Sequence, residues 1–219
     1  MKEIERFITG FRAFQQDYFG PDSSHYQTLR HGQNPKTMII GCSDSRVDPA
    51  ILTNCEPGDI FTVRNVANLV PPYEENTGYH GVSAALEFAV CALEVDHIIV
   101  LGHSQCGGIQ ALMTGDCGCQ GSGFVARWMS IATPVRQRIL AELPGKEIKL
   151  QQRAAEQAAI LLSLENLHSF PFVAEQLAAG TLALHGWYFD LAIGELLEYR
   201  ADSGVFKVLA GQLKSHEKR

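Results

Sequence analysis

The chain has 219 residues, of which 46% are hydrophobic and 19% charged, and its formal net charge is -6 at pH 7. These proportions are typical of an ordinary folded protein and exclude a disordered chain or a membrane protein, since no apolar run approaches the length that spans a bilayer. The negative charge argues against a nucleic-acid surface. The length is at the upper end for one domain, so we expect a single domain over residues 1–219.

The cysteine content and the N-terminal segment indicate the compartment. Residues 1–20 mix charged and apolar side chains without an uninterrupted apolar stretch, so they are not a secretory signal. Six cysteines in such a chain are better explained as reduced thiols and metal ligands than as disulfides. We therefore expect a cytoplasmic protein, although a protein processed in an organelle or enclosed in a microcompartment would have the same features.

The spacing of apolar residues predicts the first elements of the chain. Residues 4–14 have apolar side chains at helical spacing, which predicts an amphipathic helix. Because the neighbouring segment is too short to form a core with this helix, we expect it to pack on another surface such as a partner subunit. Residues 36–42 predict a buried strand. An Asp-Pro pair predicts a short helix over residues 48–54, and residues 59–64 predict a second strand.

Later segments extend this alternation of strands and helices. Residues 79–95 predict a helix whose core face comprises Val82, Leu86, Phe88, Ala89 and Leu93. The remaining segments predict a strand over residues 97–102, helices over 127–140 (interrupted by Pro134), 149–168 and 171–179, and strands over 181–188 and 196–200. Strands separated by helices favour parallel pairing. We therefore predict an α/β fold with a mostly parallel central sheet, flanking helices and an N-terminal helical arm.

Two motifs place metal-binding side chains just after two of the predicted strands. Gly-Cys-Ser-Asp-Ser-Arg contains Cys42, Asp44 and Arg46, and Gly-His-Ser-Gln-Cys-Gly-Gly contains His103 and Cys106. Two thiolates and one imidazole are a soft ligand set that suits zinc, and three protein ligands leave the fourth tetrahedral position for water or substrate. Because sites in parallel sheets collect beyond the carboxyl ends of strands, the chain is predicted to be an enzyme with one zinc ion.

These motifs divide the predicted domain into three parts. They are the N-terminal helical arm over residues 1–35, a metal-site core over residues 36–115, and a helical and C-terminal strand part over residues 116–219.

Asp44 and Arg46 add acid–base chemistry to the predicted metal site. If the chain stays extended past Cys42, residues 42, 44 and 46 point to one side. Arg46 can then fork onto the Asp44 carboxylate, which keeps Asp44 ionised and directs one oxygen towards a zinc-bound water. The alternative is that the two residues form only a turn and a surface ion pair, which is common and weak.

The second motif predicts a helix that starts at Cys106. The free amide groups of a helix start lower the pKa of a thiol, and Gly107 and Gly108 let the backbone approach the metal closely. On its own, His-x-x-Cys is a weak signal, because a buried thiol beside a core histidine has the same spacing. The combination of both motifs at the ends of two strands is much stronger.

The remaining cysteines and histidines are interpreted as structural. Cys117 and Cys119 lie in a Gly-rich loop without a nearby histidine or third thiol, so a second metal site is the less favoured reading. Cys55 and Cys91 are predicted to be small core residues. The histidines, including His80 and His185, are predicted to be hydrogen-bonded structural residues.

The chain resembles a β-class carbonic anhydrase over most of its length. The resemblance rests on Cys42-Ser-Asp-Ser-Arg46, Phe61-Thr-Val-Arg-Asn-Val-Ala-Asn68, His103-Ser-Gln-Cys-Gly-Gly108 and Leu184-His-Gly-Trp-Tyr-Phe-Asp190. It implies reversible hydration of CO2 to bicarbonate and a proton, zinc held by Cys42, His103 and Cys106, and an Asp44–Arg46 dyad. It also implies a homodimer or higher oligomer, with a tetramer or octamer possible and the N-terminal helix wrapped on a neighbour.

The resemblance also implies a substrate pocket. Gln33, Phe61, Val66, Phe88 and Gly107 would line it, with Gln33 donating to a substrate oxygen and the apolar groups holding linear CO2. Some of these residues would come from the neighbouring subunit.

The family divides into an open-site, plant-like form and a bicarbonate-regulated form in which the counterpart of Asp44 swings onto zinc. Asp44 would thus be a metal ligand in a closed state only. The chain has Gln33, and has Ile39 where the regulated form has tryptophan, so it resembles the open form. At about pH 7.5 we expect water rather than Asp44 on the zinc, because nothing stabilises the closed state over the open one.

Two alternatives stay open from the sequence. A zinc hydrolase acting on carbonyl sulfide or carbon disulfide would use the same ligands and fold and would differ in pocket access. A non-catalytic zinc-binding sensor would close the fourth metal position instead of leaving it to water.

Overall fold

A computed structural model describes residues 2–21, 23–75, 78–116 and 123–211. It divides into two compact units, Met1–Asn34 and Pro35–Arg219. The division of the domain at residues 35 and 115 that the sequence predicts stays a prediction. Among the described residues no helix is both long enough and apolar enough to cross a membrane.

The first unit contains helices α1 (Lys2–Phe19) and α2 (His25–Leu29). Aromatic side chains join the two helices, because the ring of Phe14 lies 4.8 Å from that of Tyr18 and 5.7 Å from that of Tyr26. α1 has no buried residue, and apolar side chains along it stay exposed: Ile4, Phe7, Ile8, Phe11 and Phe19. The predicted N-terminal helix is therefore confirmed. The partner surface proposed for it stays a prediction.

The second unit is built on a six-stranded sheet. Its strands are β1 (Thr37–Cys42), β2 (Ile60–Asn65), β3 (His97–His103), β4 (Ala183–Asp190), β5 (Glu195–Arg200) and β6 (Val205–Ala210). The spatial order is β2-β1-β3-β4-β5-β6. The first four strands are parallel, and β5 and β6 are added antiparallel. This sheet confirms the predicted fold class.

The order of the strands creates a crevice at one edge of the sheet. The chain passes from β1 to β2 on one side, then returns to place β3 on the other side of β1. Gly41 pairs with Leu101, so Cys42 and His103 end neighbouring parallel strands at the same edge. A reversal of this kind is where ligands bind in parallel α/β sheets, because the connections diverge there and leave the strand ends open.

Helices connect and cover the strands of the second unit. They are α3 (Pro49–Thr53), α4 (Gly81–Glu87), α5 (Gly107–Thr114), α6 (Phe124–Met129), α7 (Thr133–Glu142), α8 (Ile148–Leu167) and α9 (Pro171–Ala179). The Asp48 side chain accepts hydrogen bonds from the first amides of α3, which confirms the predicted cap. The helices predicted over residues 127–140, 149–168 and 171–179 are confirmed within a few residues at their ends, including the break near Pro134.

Helix α8 packs on the centre of the sheet and joins two cores. Its Ile160 belongs to a core with residues of β1, β3 and β4, including Met38, Val100 and Tyr188. Its Ala159 belongs to a second core, which also contains two of the predicted metal ligands, Cys42 and Cys106. The packing is tight, since a Cβ added to Gly102 would lie 2.7 Å from Ile160 Cδ1.

The helix predicted over residues 79–95 is confirmed from Gly81 to Ala92, but its second half is not α-helical and part of its predicted core face is wrong. α4 ends at Glu87 and a π-helical turn, Phe88–Ala92, follows. Val82, Leu86 and Ala89 of the predicted face are buried, whereas Phe88 is 47% exposed, because it lies about 200° round the helix from Leu86. Cys91 is also exposed, so its predicted core position is wrong, and Cys55 is only partly buried.

Candidate metal centre

Three side chains converge at the crevice between β1 and β3. Cys42 ends β1, His103 ends β3, and Cys106 caps the start of α5. Their ligand atoms all lie within 4.8 Å of one another, and the two sulfur atoms are 4.0 Å apart. All three residues are buried. In the described part of the chain this is the one group of three or more His, Cys, Asp or Glu side chains that could hold a metal ion.

The imidazole of His103 is oriented to bind a metal. Its Nδ1 lies 2.8 Å from the carbonyl oxygen of Ser104, so Nδ1 carries the proton and donates it to that carbonyl. Nε2 is then left with a lone pair, and it is buried without a hydrogen-bond partner among the described residues. A buried nitrogen without a partner costs free energy unless something binds it. Two thiols and this nitrogen fit zinc.

The pKa values of the two thiols also favour a bound cation at this site. Without a metal ion the pKa of Cys42 falls to about 4, above all because the Cys106 thiol donates a hydrogen bond to it. The same contact with Cys42, together with burial, raises the pKa of Cys106, and the amides of Ile109 and Gly108 oppose this only in part. The amides at the helix start thus act in the predicted direction, but in the metal-free protein the Cys42 thiolate and burial outweigh them. A bound cation would permit both thiolates.

Asp44 and Arg46 form a fork beside the three ligands. Arg46 Nε donates to Asp44 Oδ1 at 2.9 Å, and Arg46 Nη2 donates to Asp44 Oδ2 at 2.7 Å. Arg46 Nη2 also donates to the carbonyl of Gln105 at 3.1 Å, which ties the two motifs together. Asp44 Oδ2 lies 4.0 Å from Nε2 of His103. These hydrogen bonds with Arg46 hold the pKa of Asp44 well below its usual range.

The backbone brings this pair together differently from the extended chain that the sequence suggested. β1 ends at Cys42, and the chain then turns, because the amide of Val47 donates to the Asp44 carbonyl at 3.2 Å. The Arg46 amide donates to Asp44 Oδ1 at 3.0 Å within the same turn. The fork between the side chains is as expected, but a hydrogen-bonded turn produces it.

Arg64 braces this turn from the neighbouring strand, a role that the sequence analysis did not assign. Its guanidinium donates to the carbonyl oxygens of Cys42, at 2.9 Å, and Asp44, at 2.8 Å. It also donates to Asp48 Oδ2 at 2.8 Å. One arginine on β2 thus fixes the main chain at the first ligand and two residues beyond it. An arginine facing a strand end followed by a polar turn is the sequence signal that could have indicated it.

The start of α5 packs closely on the turn that follows β2. A Cβ at Gly108 would lie 2.7 Å from Val66 Cγ1 and 3.1 Å from Ala67 Cβ, whereas one at Gly107 would meet nothing within 4 Å. Trp128 closes the other side by donating its Nε1 hydrogen to the Val66 carbonyl at 2.7 Å. Gly108 is therefore required for helix packing, in addition to any approach to a metal.

The residues expected to line the pocket belong to several different elements of the described structure. Val66, in the turn after β2, lies against Gly108 of α5, and Gly107 follows Cys106 at the start of that helix. Phe61 and Phe88 contact each other, with ring centroids 5.8 Å apart. Gln33 belongs to the N-terminal unit. Their assignment to the substrate pocket stays a prediction.

Ile39 lies in an apolar part of the sheet. It is 1% exposed and packs in a cluster that includes Ile99, Leu101, Trp187 and Phe189. Mostly apolar side chains therefore surround the position where the regulated form has tryptophan.

Comparison with known proteins agrees with these features. The sequence model described as "Carbonic anhydrase" matches residues 37–196. The chain belongs to the carbonic anhydrase family. It is 37% identical over 199 residues to a carbonic anhydrase of Synechocystis, which covers 90% of this chain and 71% of that protein. It is 41% identical over 180 residues to beta carbonic anhydrase 5, chloroplastic, of Arabidopsis thaliana, which covers 82% of this chain and 59% of that protein.

Solved structures of β-carbonic anhydrases have the same fold. The β-carbonic anhydrase CcaA superposes with a TM-score of 0.89 at 33% identity, over 98% of this chain and 96% of that chain. One of two tetrameric β-carbonic anhydrases from Sordaria macrospora superposes with a TM-score of 0.78 at 28% identity, over 97% and 100% of the two chains. The predicted resemblance to the β-class and the predicted enzyme class are confirmed.

Proposed function

We propose that this β-class carbonic anhydrase uses zinc to hydrate CO2 reversibly, giving bicarbonate and a proton. Cys42, His103 and Cys106 would hold one zinc ion, and Asp44 and Arg46 would act beside it. The observation that supports this most directly is the buried His103 Nε2, which has no partner among the described residues and lies 4.0 Å from an ionised Asp44 oxygen. The soft metal ligands and a charged hydrogen-bond acceptor thus lie next to each other.

Zinc supplies Lewis-acid chemistry that lowers the pKa of a water molecule and so provides a nucleophile near neutral pH. The protein supplies the orientation of that water. Asp44 stays ionised because of Arg46, so its Oδ2 can accept a hydrogen bond and direct the water's lone pair towards carbon. Arg46 keeps the carboxylate in place, because it holds both oxygens and is itself tied to the Gln105 carbonyl.

The substrate side of the site would be apolar, since CO2 is linear and has no net dipole. Val66 and Gly107 would form this wall, since Gly107 follows Cys106 and Val66 packs against the next residue, Gly108. Phe61, Phe88 and Gln33 would complete the pocket in an assembly, where a neighbouring subunit supplies part of the wall. The exposure of Phe88 in one chain supports this arrangement.

We also propose that the protein is a homo-oligomer. The apolar residues exposed along α1 and at Phe88 would be covered by a second copy of the chain, which is the usual reason for large exposed apolar side chains. The Sordaria macrospora relatives are tetrameric. Light scattering during gel filtration would reveal a dimer or a multiple of it. The cytoplasmic location expected from the sequence also remains a proposal.

Two other functions compete with CO2 hydration. A hydrolase of carbonyl sulfide or carbon disulfide would use the same ligands, and a zinc sensor would close the site with Asp44. The fork between Asp44 and Arg46 favours an open site, because both carboxylate oxygens are already engaged by the guanidinium. Stopped-flow turnover of CO2, carbonyl sulfide and carbon disulfide by one preparation separates the three: we expect fast turnover of CO2. Turnover of a sulfur compound alone, or of none, would contradict the proposal.

A further inference from the structure

Helix α8 has a carboxylate on its buried face that the steps above do not use. Glu156 is 4% exposed, and the residues around it on this face are small and apolar, including Ala155 and Ala159. Burial raises the pKa of Glu156, against hydrogen bonds from Tyr188, Cys106 and Gln152. Burying a carboxylate costs free energy unless its oxygens are well bonded, so the contacts of this side chain are informative.

Both oxygens of Glu156 accept hydrogen bonds, and one of these comes from a predicted zinc ligand. Oε1 accepts the backbone N–H of Cys106 at 3.1 Å and an N–H of Gln152 at 3.2 Å. Oε2 accepts the hydroxyl of Tyr188 at 2.8 Å. Tyr188 is fully buried on β4, so the carboxylate is clamped between a strand and its own helix.

The amide of Cys106 needs an acceptor outside its own helix. Cys106 is the residue that caps α5, and the first amides of a helix have no partner within it. Because Cys106 is buried, a solvent water molecule cannot accept this hydrogen bond instead. Glu156 meets this need from a different helix, and the carboxylate thereby fixes the main chain from which the thiolate projects.

The other end of the same segment is held separately. The Ser104 amide donates to the Phe189 carbonyl at 2.9 Å, and the Leu191 amide donates to Ser104 Oγ at 2.8 Å. Between the two anchors, Gln105 adopts the left-handed conformation with φ of 59°. β4 therefore holds the segment beside His103, and α8 holds it beside Cys106.

We propose that Glu156 is a positioning residue of the metal centre: its carboxylate fixes the backbone of Cys106 and so aims the Cys106 thiolate at the point where Cys42 and His103 converge. The inference rests on the zinc site of the proposed function. It assigns Glu156 no proton transfer and no contact with substrate. Removing a group that hydrogen-bonds to a metal ligand without touching the metal typically lowers metal affinity by roughly 10–100-fold.

The test uses zinc release and a cobalt spectrum, neither of which depends on CO2 hydration. Full-length wild type, Glu156→Ala, Glu156→Gln and Tyr188→Phe are compared with Glu165→Ala, which removes an exposed carboxylate from the same helix. Zinc release to a chromogenic chelator gives the rate of metal loss. The cobalt-substituted proteins give the thiolate-to-cobalt absorption band, which reports the direction and distance of the sulfur ligands.

Glu156→Ala should release zinc roughly 10–100-fold faster than wild type and shift the cobalt band. Glu156→Gln should restore both towards wild type, because its amide oxygen can still accept the Cys106 N–H. Tyr188→Phe should give a smaller increase in release rate, since one oxygen of Glu156 loses its partner. Glu165→Ala should match wild type.

Unchanged zinc release and an unchanged cobalt band in folded Glu156→Ala would overturn the inference, even if its melting temperature fell. Glu156→Gln behaving like Glu156→Ala would also overturn it, because charge rather than hydrogen-bond geometry would then be responsible. If Glu156→Ala does not fold, wild-type behaviour of Tyr188→Phe overturns it and faster release from Tyr188→Phe supports it. Wild type that binds no zinc would instead refute the proposed function.

Discussion

Arg46 holds both carboxylate oxygens of Asp44, through Nε at 2.9 Å and Nη2 at 2.7 Å. The side chain of Asp44 is mostly buried and that of Arg46 is about half exposed, with 17% and 48% accessible. The pair therefore differs from a surface ion pair, because its carboxylate is fixed by geometry as well as by charge. The alternative of a weak surface pair is not favoured by this arrangement.

Removing the charge of Asp44 tests its role in orienting the water. Asp44→Asn keeps the shape of the side chain and should lower CO2 hydration by about 100-fold, since a positioned acceptor is lost. Zinc content should stay at the wild-type level, because Asp44 is not a ligand of the open site. Stopped-flow hydration and metal analysis of one preparation measure both quantities.

Asp96→Asn is the matched control, because the Asp96 side chain forms an exposed surface pair with Lys36, at 4.0 Å. It should have wild-type turnover. Arg46→Ala should also lower turnover by releasing Asp44 towards the metal. Wild-type rates in either dyad variant would remove the pair from the mechanism.

The two thiols should be required for metal binding. Cys42→Ser and Cys106→Ser should each lose most of their zinc, because a neutral hydroxyl is a poor replacement for a thiolate. Cys91→Ser alters an exposed thiol and should keep the metal. Zinc per chain, measured after dialysis, provides the check. Full occupancy in either ligand variant would mean that the metal has other ligands.

The pH profile should have a simple form. Arg46 holds the pKa of Asp44 well below its usual range, so the stabilisation from this pair is present above the unfolded value of about 3.9 and is lost only as pH falls through the lower folded value. Asp44 therefore stays ionised across the neutral range. We expect hydration to decline smoothly towards acid as the nucleophile is protonated, with bicarbonate acting only as a competing product.

A structure at about pH 7.5 should accordingly have Asp44 on Arg46 rather than on zinc, because Ile39 stands where the regulated form has tryptophan and most side chains packed around it are apolar. A steep cooperative loss of activity, or strong inhibition by bicarbonate, would assign the enzyme to the regulated form.

Gly102 should be required for packing next to His103. Gly102→Ala places a Cβ 2.7 Å from Ile160 Cδ1 and 2.8 Å from Ile160 Cγ1, so it should destabilise the protein by about 1–3 kcal/mol. The cost should be smaller in an Ile160→Val background, where Cδ1 is absent. Gly81→Ala, with nothing within 4 Å, is the control for chemical denaturation. Equal stability of Gly102→Ala and Gly81→Ala would show that the contact relaxes freely.

The sequence predicted the parts of the fold that depend on local patterns. Apolar runs located β1 and β3, and the residues that follow them contained the ligands, so the metal centre could be inferred before its geometry was known. Helix α8 was predicted from its alanine-rich face. β6 and α2 were missed, since β6 is a short hairpin strand with exposed side chains and α2 has only five residues.

Other features depend on packing that no local pattern encodes. The apolar spacing carries no signal for the π-helical turn that follows Glu87, and Phe88 and Cys91 are exposed where core positions were predicted. Glu156 interrupts the apolar face of α8, and this was its sequence signal, but its hydrogen bond to Cys106 spans 50 residues of chain. The predicted substrate pocket stays a prediction. The loop with Cys117 and Cys119 lies outside the described residues, so its interpretation stays a prediction.

Removal and return of the metal tests the central claim most directly. Zinc content and stopped-flow CO2 hydration are measured on one preparation before chelation, after chelation and after zinc is added back. We predict close to one zinc per chain, loss of hydration in proportion to zinc removed, and recovery on its return. Zinc-loaded protein that hydrates CO2 no faster than buffer, or activity that survives complete zinc removal, would contradict the account.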